Sequence, residues 1–282
     1  MEIFKEIEPL RAYLKQFRQL KSSIGLVPTM GALHAGHLAL IEASRKENTL
    51  TVCSIYVNPA QFNNLQDLEK YPQTLERDTA LLKASGCDVL FCPSHHEMYK
   101  NQDHIRFDFG ALDKILEGEY RPGHFSGVAL VVSKLFNIVL PNKAYFGQKD
   151  FQQFLLVKKL VEDLNFDLEL KRVPIVREAD GLAMSSRNMR LSTQQRKDAP
   201  VFYQALQHAK KMLLSGKDLK AVQNEIQLMC ERKPGVRLEY FALADKENLK
   251  LAESVTGQSI LLIAGYVGEI RLIDNLVVGD EN

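Results

Sequence analysis

The chain has 282 residues, 45% of them hydrophobic and 25% charged, with four cysteines and no tryptophan. That length suits one large domain and one small one, and the composition has none of the excesses that mark collagens, disordered tails or disulfide scaffolds. Lysine plus arginine, 36, nearly balances aspartate plus glutamate, 35, so the broad positive field needed for sequence-independent nucleic-acid binding is missing and no nucleic-acid partner is expected.

The opening stretch MEIFKEIEPLRAYLKQF has acidic residues and helical periodicity where a secretory leader would show a basic patch and an unbroken apolar run. A helix is expected there. No segment reaches the roughly 18 apolar residues of a membrane span, so no membrane partner is expected and the expected location is cytoplasmic. Apolar runs of strand length then alternate with segments of helical period: SSIGLVP, HLALIEASRKEN, LTVCSIYV, TLERDTALLKASG and CDVLFCP. This β-α-β-α-β rhythm resumes with an almost wholly apolar helix from Phe125 to Leu140, the short run KAYFG and the helix DFQQFLLVKKLVEDL. An all-apolar helix between short apolar strands predicts a parallel sheet covered on both faces, where ligands bind beyond the carboxyl ends of the strands.

Past residue 176 the order changes to a polar stretch, Arg177 to Asn188, which is the hinge candidate. Two helices are predicted between Ser192 and Arg232, then the strands VRLEYFAL, SILLIAG and EIRLIDN. Val236, Leu238, Tyr240 and Ala242 alternate with polar residues, as in a sheet with one wet face. The expected architecture is α/β: a Rossmann-like parallel-sheet domain over 1–176, binding nucleotide and substrate, and a smaller α+β lid domain over 177–282. Cys53, Cys87, Cys92 and Cys230 form no C-x-x-C pair and read as reduced thiols in or near the core. Cys87, Cys92, His95 and His96 match no common zinc spacing, and no metal is assigned to them.

Three loops look like chemistry. PTMGALHAGH, Pro28 to His37, lies directly after a strand and before a helix. Gly31 and Gly36 permit close approach of a ligand, and free N–H groups at the helix start favour an anion. His34 and His37, three residues apart, point the same way on a helical turn and reach one phosphate chain. The plainer alternative is a glycine-bearing turn with two ordinary polar histidines. In FGQKDFQQF, Phe146 to Phe154, Lys149 offers a compact cation, Asp150 an N-cap or ribose acceptor, and Gln153 a two-sided amide. Here the alternative is a capped helix start with solvated Lys149 and Gln152. MSSRN, Met184 to Asn188, brings two hydroxyls and a guanidinium to a glycine-flanked loop able to close over a triphosphate, or is a polar linker. VNPAQFNN sets Asn58 and Gln61 just past a strand end, while Arg121 and His124 in RPGHFSGV serve equally as a turn and a cap.

H-A-G-H is similar to the HIGH-type signature of the adenylyl-transferring superfamily, and PTMGALHAGH with GQKDFQQ and MSSRN resembles the pantothenate synthetases. The matched motifs run from Pro28 to Asn188, with Gln148 where the family commonly has an acidic residue. The resemblance implies an ATP-dependent ligase that activates pantoate as an acyl adenylate and passes the acyl group to β-alanine, with Mg2+ held mostly by phosphate oxygens and water. It also implies a homodimer. The ATP site so implied comprises Met30, Gly31, Ala32, Leu33, His34, Ala35, Gly36 and His37; Gly147, Gln148, Lys149 and Asp150; Val176; and Met184, Ser185, Ser186 and Arg187. Of these, His34, His37 and Lys149 carry the catalytic roles, with His37 as the transition-state donor. Backbone near Val176 frames the adenine, Gln61, Gln153 and Asn58 meet pantoate, and Met30 walls its gem-dimethyl group. Two other readings stand beside this one: a nucleotidyltransferase that leaves the nucleotide on a phosphorylated small molecule, and a nucleotide-binding sensor without turnover.

Overall fold

A computed structural model describes residues 1–101 and 105–279, so residues 280–282 of the expected second domain lie outside the described residues. The chain forms two compact units, one of residues 1–148 and 152–174, the other of 149–151 and 175–282.

The first unit begins with β1 (Glu2–Phe4) and α1 (Ile7–Gln19), followed by β2 (Ile24–Thr29), α2 (Ala35–Glu47) and β3 (Leu50–Ile55). Short helices α3 (Leu65–Glu69) and α4 (Leu75–Ala84) lead to β4 (Val89–Phe91), and α5 (His95–Met98) and α6 (Glu117–Tyr120) lead to α7 (His124–Val139). Then come β5 (Lys143–Gly147), α8 (Phe151–Asp163), whose first residue is grouped with the second unit, and β6 (Glu169–Val173). The six strands form one sheet in the order β1-β4-β3-β2-β5-β6, and every pairing is parallel. From β2 the connections run one way to β3 and β4 and the other way to β5 and β6. A parallel sheet opens a ligand crevice at such a divergence, beyond the carboxyl ends of β2 and β5.

The alternation of strands and helices, and the apolar α7, agree with the sequence reading. Two elements differ from it. The opening helix starts only at Ile7, because Glu2–Phe4 extend to pair with Val89–Phe91 at the sheet edge. Strand β6 is an addition: its sequence ELKRV is charged, as suits an edge strand, and Lys171 pairs with Glu169 at 2.7 Å. The core beneath the sheet includes Val27, Leu33, Ile41, Cys53, Leu82, Leu90 and Tyr145.

The second unit holds α9 (Thr193–Asp198), α10 (Val201–Leu214) and α11 (Leu219–Glu231) against an antiparallel sheet of β7 (Val236–Asp245), β8 (Ser259–Val267) and β9 (Ile270–Val277). Three helices replace the predicted two because Pro200 has no N–H to return to the turn before it. The predicted face of Val236, Leu238, Tyr240 and Ala242 also breaks. Leu238 pairs with Gly265 but Tyr240 with Ala264, so Glu239 is the extra residue of a bulge. Beyond it the inward positions move by one, and Phe241 and Leu243 join Val236 in the core. Burial by desolvation pushes the Cys87 and Cys230 thiols up to about 11 and Cys53 well up, so all three are neutral apolar groups.

Gly127 sets how closely α7 approaches the turn after β3, since a Cβ there would lie 2.2 Å from the Ala60 carbonyl oxygen. Gly127→Ala is therefore expected to cost that unit about 1–3 kcal/mol in urea denaturation. Gly257→Ala, with nothing within 4 Å of the added carbon, serves as the control of small effect.

Candidate active site

The Pro28–His37 stretch leaves β2 and turns sharply into α2. Gly31 and Ala32 both have positive φ, +81° and +50°, and the turn ends at His34, the extended N-cap of α2. His34 Nδ1 accepts the Gly36 N–H at 3.1 Å, and His37 Nδ1 accepts the His34 N–H at 3.4 Å. A neutral imidazole that accepts at Nδ1 carries its proton on Nε2, so local backbone bonds fix the same tautomer in both rings. The ring centroids lie 4.0 Å apart, so the two imidazoles stand side by side, as their spacing predicts.

Most of the amides expected to be free for an anion are instead engaged within the protein. The Ala32 and Leu33 N–H groups each donate to Asp78 on α4 at 2.8 Å, and the His37 and Leu38 N–H groups return to the His34 carbonyl. Gly31 donates to the Thr29 hydroxyl at 3.2 Å. The amides of this turn are thus spent largely within the protein. Asp78, with 0% exposure, does not stand out in the sequence; its only signal there is an acidic residue in a helix predicted to pack on the sheet.

Beyond β3, Asn58, Gln61 and Met30 come together. Asn58 donates through Nδ2 to Gln61 Oε1 at 3.2 Å and to the Gly127 carbonyl at 3.1 Å, and accepts the Tyr99 hydroxyl at 2.8 Å. Its amide is used up on neighbours, so Asn58 orients Gln61. Gln61 Nε2 in turn lies 3.2 Å from the Met30 sulfur. His124 is neither a plain cap nor a solvated ring. It is buried at the start of α7, its Nδ1 donates to the Gln61 carbonyl at 2.7 Å, and Nε2 accepts from Arg121 at 3.1 Å. Gln152 is buried too: it donates to the Leu112 and Ile115 carbonyls and accepts the Glu117 N–H, while Gln153 beside it stays half-buried on the first turn of α8.

Gly147 ends β5, and Gln148, Lys149 and Asp150 make one 3-10 turn before α8. A Cβ on Gly147 would meet nothing within 4 Å, so its neighbourhood is open space. Lys149 Nζ stands 3.9 Å from the exposed Asp150 carboxylate, and the Lys149 carbonyl accepts Asn275 Nδ2 at 3.0 Å.

In the second unit, the stretch from Val176 to Met184 is a hairpin. Met184 N–H donates to the Val176 carbonyl, Glu178 N–H to the Leu182 carbonyl, and Arg177 and Ala183 bridge between them. Ser185 then caps a 3-10 turn, Ser186–Arg190, by accepting the Arg187 N–H at 3.2 Å. The base of the hairpin is tied down by Arg177, which makes two bonds to Asp274, at 2.6 and 3.0 Å, and one to the Gly181 carbonyl, while its guanidinium lies over the Tyr203 ring. Sequence reasoning singles out neither Arg177 nor Asp274 as functional. Among the described residues, no group of three or more His, Cys, Asp or Glu side chains is arranged to hold a metal ion. His95 instead sits 2.8 Å from the Tyr56 hydroxyl.

Burial pushes the Asp274 carboxyl up, against the opposing pull of Arg177. A carboxyl raised in the folded state costs stability once pH rises through its folded value, and removing Arg177 enlarges that cost. Arg177→Ala is accordingly expected to lose about 3–5 kcal/mol at neutral pH, the usual cost of stranding one partner of a buried pair, and to regain part of it at acidic pH. Denaturant melts at the two pH values test this; equal losses at both would refute it.

The family model for pantoate-beta-alanine ligase matches residues 2–277. The pantothenate synthetase of Thermosipho africanus is 45% identical over 279 residues, covering 99% of this chain and 100% of that protein. A crystal structure of pantothenate synthetase from Thermus thermophilus superposes with a TM-score of 0.93 at 43% identity, covering 99% of this chain and 100% of that one. The pantoate-beta-alanine ligase from Francisella tularensis, solved in complex with beta-gamma ATP and beta-alanine, has a TM-score of 0.82 at 35% identity, covering 99% and 98%.

Proposed function

The chain belongs to the pantoate-beta-alanine ligase family, and from that premise we propose how its own residues carry out the reaction. The enzyme condenses pantoate with β-alanine at the expense of ATP, giving pantothenate, AMP and pyrophosphate. A carboxylate is a poor acylating agent because oxide would have to leave. A pantoate oxygen therefore attacks the α-phosphorus of ATP and pyrophosphate departs, leaving pantoyl adenylate. The β-alanine amine then attacks the acyl carbon, loses a proton, and expels AMP.

The observation that carries this reading is the His34–His37 pair, two rings with centroids 4.0 Å apart whose Nδ1 atoms each accept a backbone N–H, which assigns the proton of a neutral ring to Nε2. Two neutral donors fixed by backbone bonds before substrate arrives stabilise charge building on the α-phosphate without reorganising, with His37 as the principal donor. Lys149, Ser185, Ser186 and Arg187 hold the remaining phosphates, and Asp150 serves the ribose. The hairpin at Val176 and Met184 frames the adenine. Gly31 to Leu33 meet the nucleotide by packing, since their amides turn inward, while Ala35, Gly36, Gly147 and Gln148 leave room for it. Gln61, oriented by Asn58, and Gln153 bind pantoate, and Met30 packs on its methyl groups. Magnesium arrives as part of Mg-ATP, its shell completed by phosphate oxygens and water. A cytoplasmic homodimer completes the proposal; no helix among the described residues is long and apolar enough to cross a membrane.

Incubation with ATP, magnesium and pantoate, with and without β-alanine, followed by mass spectrometry tests the assignment. Pantothenate and AMP are expected only when β-alanine is present, with bound pantoyl adenylate when it is withheld. If folded protein makes neither adenylate nor amide, the substrate assignment fails. His37→Ala is expected to keep the fold and lose about 10²–10³ in the rate of pyrophosphate release; a near-wild-type rate would remove His37 from the role given to it.

A further inference from the structure

The turn that presents the two histidines has an anion built into its inner side. With Gly31 and Ala32 both at positive φ, the next two amides face the same way, an arrangement of N–H groups that ordinarily collects an external anion such as phosphate. Here Asp78 fills it. Oδ2 takes the Ala32 N–H and Oδ1 the Leu33 N–H, each at 2.8 Å, and the Thr74 hydroxyl adds a third bond to Oδ1 at 3.2 Å. A Cβ on Gly31 would already lie 3.1 Å from Oδ2, so the turn and the carboxylate are closely fitted. The left-handed backbone of Ala32 is strained, and charge-assisted bonds to a buried carboxylate offset that strain.

We propose that Asp78 is a positioning residue for adenylation: it occupies the anion site of the turn, so that phosphate is left to the imidazoles, and fixes the backbone from which both rings are set. Leu33 leads directly into His34, whose own N–H orients the His37 ring. A displaced Leu33 amide therefore disturbs both tautomer-fixing bonds. The inference rests on reading His34 and His37 as phosphate donors.

Asp78→Asn tests it in the full chain. Asparagine offers one carbonyl oxygen and one NH2, so one of the two backbone donors would face another donor. With the fold checked by circular dichroism, pyrophosphate release is expected to fall about 10²-fold, the cost of a roughly 1 Å misplacement, with little change in KM for pantoate. Nitrogen-resolved NMR of the histidine rings is expected to lose the Nε2–H tautomer signature of His34 and His37. That readout needs no substrate: if the wild-type protein forms no adenylate, the functional reading fails and the ring spectra alone judge Asp78. A folded variant with wild-type rate and wild-type ring signals overturns the proposal. Should Asp78→Asn not fold, Thr74→Val removes one bond to the same carboxylate and keeps its charge. A several-fold loss of rate with shifted ring signals is then expected, and no change in either overturns the proposal.

Discussion

Every strand of the larger sheet runs in one direction, and most of what the site requires follows from that constraint. A parallel strand must be left at its carboxyl end and re-entered from the opposite edge, so loops far apart in sequence gather along one rim. The stretches carrying Met30 to His37 and Asn58 to Gln61 follow β2 and β3, and Gly147 ends β5. The bond from Gln61 to the Met30 sulfur, across thirty-one positions of chain, is the direct trace of that gathering. The connections diverge on either side of β2, and a parallel sheet offers its ligand crevice at such a point.

Near that rim, residue type is a poor guide to whether a side chain touches substrate. Asn58, Asp78, His124 and Gln152 are all of ligand-binding type, and each spends its hydrogen-bonding capacity on the protein. An unsatisfied buried polar group costs about 1–3 kcal/mol, so a buried amide or carboxylate is found where the backbone has donors or acceptors to match it. These four side chains tie turns and the starts of short helices to one another. Gln61 is held from both sides: Asn58 orients its side chain and His124 takes its carbonyl.

The repeated strand–helix order is legible in the sequence because period and run length are local properties, and the histidine and serine-arginine motifs are legible because they are contiguous. What escapes it depends on partners distant in the chain. Glu2–Phe4 is a strand only because Val89–Phe91 offers an edge, and the charged β6 carries no apolar pattern to betray it. The bulge at Glu239 is a property of the β7–β8 pair, invisible in β7 alone, and it reverses which of Phe241 and Ala242 faces the core. Asp78 lies 45 and 46 positions from the amides it binds, so nothing near the Gly31–Leu33 turn announces that its N–H groups are already taken.

The second unit applies the same economy to its charged groups. Strand β9 supplies Asp274 to Arg177 at the base of the hairpin and Asn275 to the Lys149 carbonyl, and the Ser186–Arg190 turn packs against the same strand. This is why Lys149–Phe151 groups with residues 175–282 although it is contiguous with β5 and most of α8. A buried ion pair recovers its desolvation cost only with good geometry and further hydrogen bonds, and the pair here has both: a two-pronged guanidinium, and Asn275 N–H donating to Asp274 at 2.8 Å. The pair therefore fixes direction as well as distance. Lys149 and the serine-arginine loop are separated by more than thirty positions of chain, yet one β-strand anchors both, so their relative placement depends on β9 more than on the loops that carry them.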